Sequence, residues 1–164
     1  MQENLIKIYQ QSFRENRELA ALTDYFKQET FSYFEMAKEI AKLHLLFEEC
    51  GIEKGDKIAL IGRNNTRWVI AYLATVTYAQ DFPANDVNHI IKHSESKLLF
   101  LGDTFWDIIH EEELDLIQAA FSLTDNHCIY EKEGTRITDF QRDIRRHFNA
   151  RYPKAVSYTH LRAH

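Results

Sequence analysis

The sequence is short of the residues that make linkers. Five Gly and two Pro in 164 residues leave no flexible or low-complexity segment, so a compact chain is expected. Cysteine is equally scarce. Cys50 and Cys128 stand far apart and follow no metal or disulfide spacing. With no secretory signal at the N-terminus, reduced thiols and a cytoplasmic location are the expectation. A basic surplus is missing too: a net charge of −5 and a pI near 5.9 argue against a nucleic-acid partner, which calls for a positive face. No apolar run approaches the ~20 residues that cross a bilayer. No internal repeat is visible.

What is present is a 45% hydrophobic chain, enough for one core and hence one domain. Residues 1–20 read as a helix, with Leu5, Ile8, Tyr9 and Phe13 at helical spacing. Leu22 to Thr30 is a polar connection with room for a short strand. Ser32 and Glu35 then fit a capping box, with Phe31 and Met36 placed as its hydrophobic staple. Met36, Ile40, Leu43 and Phe47 continue as an apolar stripe, and Gly51 supplies a left-handed helix stop. Lys54-Gly55-Asp56 is a turn. Lys57 to Ile61 is short and unalternated, as a parallel strand covered on both faces should be. Asn64, Asn65 or Thr66 can cap the next helix, Trp68 to Tyr78, which is apolar nearly all round.

A parallel strand should follow that helix directly. Instead Ala79 to Pro83 leads to a short helix near Asn85 to His93. Lys97 to Leu101 is the next strand, and Gly102-Asp103-Thr104 is expected to cap a helix from about Phe105 to Phe121. His127 to Tyr130 is a further strand. Thr138 and Gln141 fit a second capping box, opening a helix with Phe140, Ile144 and Phe148 on one face. The pattern predicts an α/β fold: an incomplete doubly wound, mainly parallel sheet with flanking helices and one strand missing after Tyr78.

Candidate chemistry is sparse. Gly62 to Thr66 joins a strand to a helix, the place where phosphates bind. One glycine satisfies neither GxGxxG nor a P-loop, so an ordinary loop and cap outweighs phosphate binding. His89 and His93 have metal-ligand spacing on a helix but no HExxH glutamate, and exposed histidines outweigh a metal site. Glu111, Glu112 and Glu113 fan out on a helix and suit a solvated face. Arg142, Arg145, Arg146 and Arg151 are interspersed with Asp139 and Asp143, which favours an exposed face over an anion site. No GxSxG surrounds a serine, and Trp68 and Trp106 suit a core better than a stacking platform. On these grounds catalytic, cofactor-binding and metal residues are all none.

Thr30-Phe31-Ser32-Tyr33 with Glu35, the run Gly51 to Leu60, then Asn64, Trp68, Ala71 and Ala74 form a connected pattern, continued by Phe82 to Ile91 and Ser94 to Phe100. It resembles the N-terminal region of AMP-forming acyl-CoA synthetases, the adenylate-forming ligases, and is most similar to bacterial long-chain fatty-acid–CoA ligases. The resemblance covers most of residues 5–154. It implies a parent enzyme that uses ATP and magnesium to adenylate a fatty acid, then transfers the acyl group to coenzyme A. The family's phosphate loop (YTSGTTGxPKG-like), TGD block and C-terminal lysine motif do not occur in this sequence. Residues 1–154 are therefore expected to be a partial N-terminal subdomain, inactive alone. Residues 155–164 match nothing before them and read as a read-through tail.

The family also has a GAVxVPL-type strand where only Ala79 stands here. Losing a parallel strand removes buried side chains at about 1.5–3 kcal/mol each, so marginal stability is expected. Two other readings compete: a non-catalytic α/β interaction domain associating through an open sheet edge, and a small nucleotide-binding domain using the Gly62 loop.

Overall fold

A computed structural model describes residues 5–78, 95–110 and 114–155. The first helix, α1 (Leu5–Glu15), packs edge-on through Phe13 against Tyr33, with ring centroids 6.0 Å apart. The polar connection is an antiparallel hairpin of β1 (Ala20–Asp24) and β2 (Glu29–Ser32). Helix α2 (Tyr33–Glu49) begins with the expected capping box: Ser32 Oγ accepts from the Glu35 amide at 3.2 Å, and Glu35 Oε2 accepts from the Ser32 amide at 2.8 Å. Phe31 and Met36 are buried in the same core cluster. Gly51 ends the helix at φ +66°, a conformation that costs glycine little.

β3 (Lys57–Ile61), α3 (Thr66–Tyr78) and β4 (Ser96–Leu101) form a βαβ unit with β3 and β4 parallel neighbours. The expected missing strand and the helix near Asn85 to His93 fall in residues 79–94, outside the described residues. Lys97 Nζ meets Asp56 Oδ2 at 2.7 Å and ties the turn before β3 to β4.

The expected helix from Phe105 to Phe121 is corrected by the structure. Its start is a 3₁₀ turn, Asp103–Ile108, without a side-chain cap, and its end is strand β5, Ala119–Ser122. Leu98 pairs with Ala119 and Leu101 with Ser122 in a parallel ladder. The four residues of β5 are fully buried, and this short run beside β4 gains ladder bonds on a sheet covered on both faces. β6 (Cys128–Glu131) closes the sheet antiparallel, giving the order β3-β4-β5-β6.

The second capping box is also corrected. α4 (Ile137–Arg142) begins one residue before Thr138 and has no side-chain cap. Glu131 takes the Thr138 amide at 2.9 Å, while Gln141 accepts from the Cys128 amide at 2.8 Å and donates to the Asn126 carbonyl. Both groups of the proposed box are committed to β6 and its turn. Asp143 interrupts the helix before α5 (Ile144–Arg151).

One sheet face packs Ile58, Leu60, Leu98, Phe100 and Phe121 against α2, α3 and Ile137. The other packs Ala59, Ile61, Leu99 and Leu101 under Phe105, Trp106, Leu114 and Ile117. The mixed α/β class, a mainly parallel sheet with flanking helices, is the one the sequence predicted.

Candidate functional site

Open α/β sheets take ligands outside the carboxyl ends of their parallel strands. Here those ends are drawn together. The Gly102 amide donates to Ile61 O and the Leu123 amide to Leu101 O, each at 2.8 Å, so the ladder runs one residue beyond the strands. A Cβ placed on Gly62 would lie 2.8 Å from Leu123 Cδ1 and 3.3 Å from the Gly102 nitrogen. Gly62 is thus required for the closure of β3 on its neighbours, because Leu123 packs where a side chain would stand. Asn65 supplies the helix cap: its Oδ1 accepts from the Trp68 amide at 2.7 Å, and its Nδ2 donates to Leu123 O at 3.0 Å. Of the three candidate caps for α3, Asn65 is the one that bonds the Trp68 amide.

Ser122 and Asp103 are likewise committed, while the buried Thr66 hydroxyl at the end of the loop has no hydrogen-bond partner among the described residues. Ser122 donates its hydroxyl to Asp103 and accepts from the Thr124 amide at 2.9 Å. His127 and Asp125 stand close to Ser122 in sequence, yet the imidazole Nδ1 lies 2.5 Å from Asp125 Oδ1 and the serine proton goes to Asp103. No nucleophile relay forms. His127 directly precedes Cys128, whose thiol donates to Tyr130 O at 3.1 Å. Burial pushes the Cys128 thiol up and the Cys50 thiol up to about 12. Neither cysteine is the thiolate that nucleophilic chemistry needs.

A cleft of about 410 Å³ lies between α2, the start of α3, β6 and α4, lined by Glu39, Lys42, Arg67, Asn126, Cys128 and Gln141 among others. Its charges cancel locally. Arg67 reaches Glu29 at 3.1 Å and Glu39 at 3.6 Å while its guanidinium sits 5.1 Å from the Phe31 ring centroid. Lys42 meets Glu39 at 2.5 Å. These contacts join β2, α2 and α3, and they leave the carboxylates paired with cations instead of poised for acid–base work.

The remaining sequence candidates do not assemble into a site. Arg142 and Arg146 pair with Asp139 at 3.1 Å and Asp143 at 2.8 Å on an exposed face, and Arg151 lies 3.8 Å from Glu48. His89, His93 and Glu111 to Glu113 lie outside the described residues. Among the described residues no group of three or more His, Cys, Asp or Glu converges as a metal site, and no helix is long and apolar enough to cross a membrane. Sequence reasoning missed the Gly62–Leu123 contact and the Arg67 network. Both join residues remote in the chain, and only the capping chemistry of Asn65 gave a local signal.

A profile of the family described as AMP-binding enzyme matches residues 9–158, running past Lys154 into the segment read as a tail. The chain is similar to crotonobetaine/carnitine–CoA ligase of Proteus mirabilis, 28% identical over 132 residues, covering 74% of this chain and 25% of that protein. It thus spans about a quarter of that relative's length. Among solved structures it is similar to the N-terminal domain of FACL13 from Mycobacterium tuberculosis, with a TM-score of 0.63 at 17% identity, covering 80% of this chain and 38% of that one. A fatty acyl CoA synthetase of the same organism gives a TM-score of 0.61 at 16% identity, covering 77% and 29%. At these identities the likeness to solved structures speaks for the fold.

Proposed function

Because the chain belongs to the AMP-binding enzyme family, we propose that it is the N-terminal scaffold of a long-chain fatty-acid–CoA ligase and is inactive by itself. The parent reaction in this reading has two steps. ATP adenylates the carboxylate with release of pyrophosphate, and the thiolate of coenzyme A then displaces AMP. Adenylation is needed because a carboxylate oxygen is a poor leaving group. Fatty acid as the substrate rests on the resemblance of residues 5–154 to bacterial long-chain fatty-acid–CoA ligases.

The closure at Gly62 carries the second half of the proposal. ATP with magnesium needs open backbone donors, a cation and an acidic ligand around its phosphates. The residues at these strand ends do not fit that group. Leu123 fills the approach to Gly62, Asn65 is spent on α3 and Leu123, and Asp103 is spent on Ser122. No catalytic step is assigned to them.

The experiment is ATP–pyrophosphate exchange by the 164-residue chain with palmitate, oleate, crotonobetaine and carnitine. No exchange is expected, and exchange with any of them would overturn the scaffold reading. Sequencing the source DNA beyond the codon for Lys154 tests the parent: the family's phosphate loop should be encoded in frame. Assaying that longer product on carboxylates of graded length then tests the preference for long chains.

A further inference from the structure

We draw no further inference here: the strongest candidate, the cleft between α2, the start of α3, β6 and α4, carries nothing because each charged side chain lining it is already paired with an opposite charge and nothing in the structure shows what would occupy it.

Discussion

His44 on α2 donates through Nε2 to the carbonyl oxygen of Ala74 on α3, 3.1 Å away, and the Thr77 hydroxyl lies 3.0 Å from the same nitrogen. Thr77 passes its own proton to Leu73 O at 2.7 Å, so its oxygen is free to accept from the ring. Tyr78 packs beside the imidazole with centroids 5.3 Å apart. The contact fastens the two helices that cover one face of the sheet.

That contact makes stability depend on pH. Burial holds His44 below its ordinary pKa, against upward pulls from the Ala74 carbonyl and Glu48. The unfolded chain therefore binds the proton more readily than the folded one, and stability rises with pH across this window. Its full contribution is present above the unfolded value of about 6.5 and is lost as pH falls below it. The melting temperature should be lower at pH 5.5 than at pH 7.5, and His44→Gln should flatten that difference. Asp56 and Asp125 titrate below the ordinary carboxylate range and fall outside this window.

Gly62→Ala tests the closure of the strand ends. Gly62 is not in the left-handed region, so the penalty is steric: the new methyl meets the buried Leu123 side chain and the Gly102 backbone. Overpacking of this kind costs about 1–3 kcal/mol. Urea unfolding should show a lower midpoint with an unchanged slope.

Gln141→Ala should cost about 1–3 kcal/mol, because it strips partners from the Cys128 amide and the Asn126 carbonyl. Ser32→Ala, at the box that does form, should cost about 1 kcal/mol. Thermal melts of the two variants rank the two sites. A loss at Ser32 exceeding that at Gln141 would contradict the assignment of Gln141 to β6.

The chain as a whole should melt below about 60 °C, a modest value for a domain of its size. Among the described residues β3 has a ladder partner on one side only, and a strand so placed contributes fewer bonds than one at the centre of a sheet. Calorimetry on residues 1–154 checks this, and a cooperative transition above that temperature would contradict it.

Much of this fold was legible because its signals are local. The Ser32–Glu35 box, the Gly51 stop, the apolar run of β3 and the cap at Asn65 each act within a few residues. β5 was hidden for the opposite reason. Ala119 to Ser122 carries no alternation, follows a segment with helical composition, and becomes a strand only by pairing with Leu98 to Leu101. Thr138 and Gln141 had the right spacing for a box, but Glu131 and Cys128 compete for their bonding groups. At the strand ends, the contact of Gly62 with Leu123 is set by sheet order, which no window of sequence contains. Tyr25 and Phe26 were read only as part of a polar connection, because their exposure depends on the turn that Asp24 holds.

The parallel ladder also sets the order in which this chain can acquire structure as it is made. Ile58 pairs with Leu98, 40 residues further on, and Leu98 in turn with Ala119. The hairpin and α2 close through near neighbours and can form while the chain is still growing. β3 must wait, apolar and unpaired, until β4 emerges, and β4 waits again for β5. Pairings of such separation form slowly and leave strand edges open meanwhile. Synthesis at low temperature, or with a chaperone that shields nascent strands, should therefore raise the soluble yield more than any surface substitution.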